Sequence, residues 1–175
     1  MPGSVESSWD GAVVIALGSN LGLDDGGASP LALVKAALDR LPGAGFRVVG
    51  RSSWWRSAAW PDPAQPDYIN GVAIVETSLA PREALDALHA IEADFGRERH
   101  ERNAARTLDL DLIAHGRTVV EEEGGFILPH PRAADRLFVM GPLAELAPEW
   151  RHPISDRTAA DLAAEARVGR DARPI

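Results

Sequence analysis

A chain of 175 residues, 45% hydrophobic, has the size and composition of one folded domain with a single core, and 18 Lys+Arg against 26 Asp+Glu leave a formal charge of −8 that disfavours a surface built to grip nucleic acid. The absence of cysteine excludes disulfide frameworks and thiolate metal sites and fits a reducing compartment, so any metal must be held by oxygen or imidazole ligands. The opening residues MPGSVESSWDG have neither a basic start nor an apolar stretch of leader length, and no segment reaches the roughly 18 to 20 apolar residues of a membrane helix, so a cytoplasmic protein without membrane association is expected.

Residues 1–11 are small, polar and acidic, and a loose tail is predicted there, followed by one domain over 12–167 and a C-terminal tail over 168–175. The run Ala12-Val13-Val14-Ile15-Ala16-Leu17 reads as a buried strand ending at Gly18-Ser19-Asn20-Leu21-Gly22, a turn-forming cluster that lacks the lysine and spacing of a phosphate loop. Ser29-Pro30 opens a helix whose apolar positions Leu31, Val34, Ala37, Leu38 and Leu41 keep helical spacing up to Pro42-Gly43. Phe46 to Trp55 is predicted extended, the proline-rich stretch from Trp60 to Pro66 a loop, and Tyr68 to Ser78 a third strand. Pro81 starts a second helix with the stripe Leu85, Leu88, Ile91 and Phe95, ending at Gly96. After an arginine-rich loop, Thr107-Leu108-Asp109-Leu110-Asp111-Leu112-Ile113 alternates with period two and is predicted as a strand. The order βαββαβ is that of an α+β, ferredoxin-like fold: an antiparallel sheet with both helices on one face. A C-terminal extension follows, with Phe126 to Pro131, a helical stretch near Leu137 to Leu146 and a last helix near Ala159 to Ala166.

Alternation in the strand over 107–113 sends Leu108, Leu110 and Leu112 to the core and brings Asp109 and Asp111 out together on the other face. Aspartate is a poor strand former and neighbouring carboxylates repel, so a cation between them relieves a cost the sequence otherwise carries. Magnesium suits such a pair, since one or two carboxylates typically hold it while substrate phosphates complete its shell. By spacing alone, a solvated strand face explains the pair equally well. Just upstream, Gly96-Arg97-Glu98-Arg99-His100-Glu101-Arg102-Asn103-Ala104-Ala105-Arg106 concentrates four arginines whose planar forks match phosphate oxygens, although a surface loop paired to its own Glu98 and Glu101 accounts for them too. Pro129-His130-Pro131 carries one rigidly placed histidine, which a surface or structural role explains more simply when taken alone. Tyr68 and Asn70 share a strand face from which a ring can stack on a flat heterocycle while an amide reads its edge, although a core tyrosine with a strand-end asparagine accounts for them too.

In order along the chain, Ala16-Leu17-Gly18-Ser19-Asn20-Leu21-Gly22, Gln65-Pro66-Asp67-Tyr68-Ile69-Asn70, Gly96-Arg97-Glu98-Arg99, Arg106-Thr107-Leu108-Asp109-Leu110-Asp111-Leu112, and Leu128-Pro129-His130-Pro131 with Arg136-Leu137-Phe138 closely resemble the 6-hydroxymethyl-7,8-dihydropterin pyrophosphokinase family, from about Val13 to Pro148. The resemblance implies transfer of pyrophosphate from ATP to the pterin hydroxymethyl oxygen, with release of AMP, in folate biosynthesis. It implies that Asp109 and Asp111 bridge two magnesium ions on the triphosphate while Arg97 and Arg106 steady the transferring group. Glu92, Arg99, Arg102, His130 and Arg136 match positions around ATP; Asn70 matches the residue that bonds the pterin edge; Tyr68 and Phe138 match the rings that sandwich it. Ser57, Ala58 and Trp60 fall where backbone meets the pterin. A monomer that uses no nucleic acid is expected. Two runs depart from the family pattern: Asn103-Ala104-Ala105-Arg106 stands where Trp-Gly-Pro-Arg is usual, and Ser57-Ala58-Ala59-Trp60-Pro61 where a Thr-Pro-Pro-Leu-Gly type of run is usual. A noncatalytic module on the same topology is the competing reading; an RNA-binding domain is disfavoured by charge and by the lack of aromatics interleaved with basic residues.

Overall fold

The computed structural model of the protein describes residues 9–20, 28–59, 62–96 and 108–175. Strand β1 spans Val13–Ser19, all seven residues buried. Helix α1 (Pro30–Arg40) starts as its sequence dictates, with Pro30 at the first position and the Ser29 hydroxyl accepting the Ala32 N–H at 3.2 Å. Then come β2 (Arg47–Arg51), β3 (Trp55–Ser57), β4 (Tyr68–Glu76), α2 (Pro81–Gly96) and β5 (Asp109–His115). The extension adds the short hairpin of β6 (Val120–Glu121) and β7 (Ile127–Leu128), helices α3 (Leu137–Leu146) and α4 (Ala159–Glu165), and β8 (Arg173–Pro174).

The sheet runs β5-β1-β4-β3-β8, with β2 also paired to β4, every pairing antiparallel. This is the expected ferredoxin-like βαββαβ order, except that the predicted extended stretch from Phe46 to Trp55 is broken into β2 and β3. The register shifts between Val48 and Gly50, and at Ser52 a hydroxyl replaces a ladder group: Ser52 Oγ accepts the Val72 N–H while Ser52 N–H donates to the Val72 carbonyl, both at 2.9 Å. Next to the break, Trp54 lies flat on Gly71, where an added Cβ would come within 2.5 Å of the indole.

Two apolar layers flank the sheet. Leu17, Leu110 and Leu112 pack with Val34, Leu88 and Ile91 of α1 and α2 on one face, as predicted. The extension covers part of the other face: Val14, Ala16, Val72, Ile74 and Ile113 meet Met140, Leu143, Trp150 and Leu162. Both stretches expected as tails contribute to the fold, since Trp9 packs against this second layer and β8 pairs with β3 at the sheet edge. Among the described residues no helix is long and apolar enough to cross a membrane.

Candidate active site

Strand register builds the site. β1 lies between β4 and β5, so Gly18 pairs with both Asn70 and Asp109, and Ala16 with both Val72 and Asp111. Trp55 pairs with Asn70 on the far side, which places Asp109, Gly18, Asn70 and Trp55 in one row across four strands. The row lies on the same face as the second apolar layer, in the part the C-terminal helices leave open, and the small residues of β1 keep its floor low. At Gly18 an added Cβ would stand 3.3 Å from Asn70 Oδ1 and 3.8 Å from the Tyr68 ring. Gly18 and Ser19 therefore belong to β1 rather than to the predicted turn; in-register partners on both sides carry the strand past its last apolar residue.

Above this floor is a cleft of about 220 Å³ walled by Ala16, Leu17 and Gly18 of β1, Ser57 and Ala58 after β3, Tyr68 and Asn70 of β4, Asp109 and Asp111 of β5, and Arg136, Phe138 and Val139 at the start of α3. Its polar wall is fixed by a buried bond, Asn70 Nδ2 donating to Ser57 Oγ at 2.8 Å. The loop before β4 is tied to the end of β1, since Asn20 Nδ2 donates to Gln65 Oε1 at 3.3 Å and to the Pro66 carbonyl at 3.4 Å. The guanidinium of Arg136 stands 5.7 Å from the centre of the Phe138 ring, so a cation and an aromatic face enter the cleft as one unit.

Asp109, Asp111 and Arg136 also line a second, wider groove of about 710 Å³. Its other walls are Arg82, Leu85 and His89 of α2, the Gly124–Ile127 turn, and His130, Pro131 and Arg132. His130 follows the cis Leu128-Pro129 peptide, and its N–H donates to the Ile113 carbonyl of β5 at 2.8 Å. Its Nδ1 accepts the Arg132 N–H at 3.2 Å, so the neutral ring carries its proton on Nε2. Burial lowers the His130 pKa from the ordinary histidine value; the Asp111 carboxylate opposes that shift, and Arg136 and Arg132 add to it. Arg136 is lowered likewise by burial, with Asp111 opposing. The charge of Asp111 thus bears on both His130 and Arg136 at the junction of the two cavities.

Ser57, Ala58, Tyr68, Asn70 and Phe138 meet in the cleft, His130 stands in the groove, and Asp109, Asp111 and Arg136 belong to both. Glu92 sits half-buried on α2, three residues beyond His89 and apart from these walls. Trp60, Arg97, Arg99, Arg102 and Arg106 lie outside the described residues, as does the run Asn103-Ala104-Ala105. Sequence reasoning missed Arg82, His89 and the Gly124-Gly125 turn; each is an ordinary polar or small residue of a helix or loop, with no pattern to mark it. Among the described residues no three or more His, Cys, Asp or Glu side chains gather as a metal cluster. The aspartate pair itself offers a cation two protein carboxylates, and with further oxygens completing the shell such a donor set fits magnesium with phosphates.

A carboxylate pair is thus shared by a narrow cleft walled by two aromatic rings and a wide groove rich in basic side chains. Residues 14–148 match the family described as 7,8-dihydro-6-hydroxymethylpterin-pyrophosphokinase (HPPK), and the chain belongs to that family. It is 46% identical over 153 residues to the 2-amino-4-hydroxy-6-hydroxymethyldihydropteridine pyrophosphokinase of Synechocystis sp., covering 85% of this chain and 73% of that protein. Its identity to the enzyme of the same name from Pseudomonas aeruginosa is 42% over 144 residues, 81% of this chain and 83% of that one. The fold is also that of wild-type HPPK-DHPS from Plasmodium falciparum, whose crystal structure with pteroate superposes with a TM-score of 0.67 at 10% identity; the match covers 87% of this chain but only 42% of that longer one.

Proposed function

We propose that the protein transfers pyrophosphate from ATP to the hydroxymethyl group of 6-hydroxymethyl-7,8-dihydropterin, releasing AMP, as a magnesium-dependent step of folate biosynthesis. The observation that carries this reading is the junction: the one pair of carboxylates faces both cavities, so an alcohol in the cleft and a triphosphate in the groove meet beside Asp109 and Asp111.

The pterin ring lies between Tyr68 and Phe138, with its amide-like edge toward Asn70, whose side chain is pre-set by Ser57. The triphosphate lies in the groove. There Arg136 and the Nε2–H of neutral His130 donate to its oxygens, and Arg82 and Arg132 extend the basic wall. Asp109 and Asp111 would hold two magnesium ions, which supply charge neutralisation to the polyphosphate as the bond to the leaving AMP oxygen breaks. The residues contribute alignment: an oxygen–phosphorus bond forms at the β-phosphorus in line with the one that breaks, and no covalent enzyme intermediate is needed.

The test is to incubate the protein with ATP, magnesium and the hydroxymethyl-pterin and to identify the nucleotide product. AMP in step with pterin pyrophosphate is expected, and ADP would refute the reading. Asp111→Ala is expected to lose about 10³-fold in kcat with its unfolding midpoint unchanged or slightly raised, since the substitution removes a metal ligand and a like-charge neighbour together. Full turnover by that variant would dismiss the carboxylate pair as the catalytic centre.

A further inference from the structure

The segment after α4 lies beyond residues 14–148, the stretch matched to the family, yet it is fastened to both walls of the cleft. It first runs beside the residues that introduce α3: Leu137 N–H donates to the Val168 carbonyl and Val168 N–H to the Asp135 carbonyl, both at 2.9 Å, and Arg167 pairs with Asp135 at 3.1 Å. Gly169 then backs the Phe138 ring. Its φ of +71° suits glycine, and an added Cβ would come within 2.5 Å of Phe138 Cδ1. Two residues on, Asp171 Oδ2 accepts the backbone N–H of Ala58 at 2.6 Å, and β8 follows along β3.

That last bond falls where the ladder ends. β8 pairs Arg56 with Arg173, and two residues past that last pair Asp171 falls opposite Ala58, so the Ala58 N–H is held by a carboxylate instead of a strand. The peptide is planar, and holding the Ala58 N–H also fixes the Ser57 carbonyl at the other end of the same plane. Ser57 in turn holds Asn70. A chain of contacts therefore leads from Asp171 through the Ser57–Ala58 peptide to the amide on the cleft floor.

We propose that Asp171 is a positioning residue for the pterin: from outside the cleft it sets the Ser57–Ala58 backbone wall, while Gly169 sets the Phe138 wall from behind. This rests on the cleft being the pterin site. Ser57 and Ala58, the residues Asp171 holds, line the cleft and not the groove, so the effect of Asp171 belongs to pterin binding and not to ATP or to the transfer step.

The experiment uses the full chain and measures KM for each substrate, kcat and the thermal midpoint for Asp171→Ala, Asp171→Asn and Asn70→Ala. Asp171→Ala is expected to raise the pterin KM about fivefold to tenfold, as loss of one charge-assisted bond allows, with ATP KM and kcat within about twofold. Asp171→Asn keeps an oxygen acceptor and should recover most of the loss. A rise in both KM values together, or no rescue by asparagine, would overturn the positioning role. A weakened Asn70→Ala beside an unaffected Asp171→Ala would overturn it while leaving the cleft as the pterin site. An unaffected Asn70→Ala would overturn the site itself and this proposal with it.

Discussion

The two cavities that meet at Asp109 and Asp111 are built in different ways. The cleft stands mainly on adjacent strands whose register admits no slip, because a one-residue shift would turn Asp109 and Asp111 into the core and Leu110 out of it. The groove is assembled from a helix face, a glycine turn and the loop after β7; Phe126 and Leu128 anchor these in the core, but the groove rim carries exposed side chains such as Arg82, which pairs with Glu122 at 2.7 Å and lies 4.8 Å over the Phe126 ring. The cleft wall is pre-organised by the strand ladder, and the rim of the groove is held by contacts that water weakens. Substitutions in the cleft should therefore act on affinity steeply and selectively, and substitutions in the groove shallowly.

The strongest test of that contrast is Gly18→Val. A Cβ at this position already stands 3.3 Å from Asn70 Oδ1, and two further methyl groups have only the cleft to occupy. The pterin KM is expected to rise about 100-fold, within the range by which a packed pocket rejects a misfitting methyl group, and binding of an ATP analogue should stay within about threefold. Equal loss of both substrates would mean that the two cavities are not independent. A smaller effect belongs to Arg132→Ala on the groove side. The exposed guanidinium shares its charge with Arg136 and His130, so a threefold to tenfold rise in ATP KM is expected, diminishing as salt is added, with pterin KM unaffected. Steady-state kinetics at low and high ionic strength would separate these outcomes.

The same contrast governs what could be read from the sequence. Period-two alternation over 107–113 gave the orientation of Asp109 and Asp111 directly, and the Tyr68–Asn70 spacing gave a shared face, since both are consequences of the pleat. The βαββαβ order followed from two helical stripes and the strands between them. The break at Ser52 was hidden, because a hydroxyl that substitutes for a ladder carbonyl looks like any other serine in sequence. Gly18 was misread for a related reason: glycine signals a turn in isolation, and only partners on both sides make it a strand residue. Arg82, His89 and Arg132 converge from segments far apart in the chain, and Asp171 reaches Ala58 across 113 residues. No local pattern encodes those meetings.

The smallest expected effect concerns protonation, and it compares a histidine of the groove with one remote from it. His152, near α4, accepts the N–H groups of Ile154 and Ser155 on Nδ1, each at 3.2 Å, and His130 accepts that of Arg132 in the same way. Both pKa values are lowered, chiefly by burial, with Arg117 adding to the shift at His152. A lowered value means that the folded protein takes up its proton at lower pH than the unfolded chain. The stability these rings contribute is therefore complete above the ordinary histidine pKa of about 6.5 and is lost as pH falls through the folded value. Only His130 has a carboxylate working the other way. In the metal-free protein, Asp111→Ala should lower the His130 value further and leave that of His152 in place, as read from the imidazole resonances in an NMR titration. Denaturant midpoints should accordingly fall more steeply between pH 7 and 5 in that variant than in the wild type. Movement of both histidines together would point to a general loosening of the fold, whereas movement of His130 alone would locate the charge of Asp111 at the join between cleft and groove.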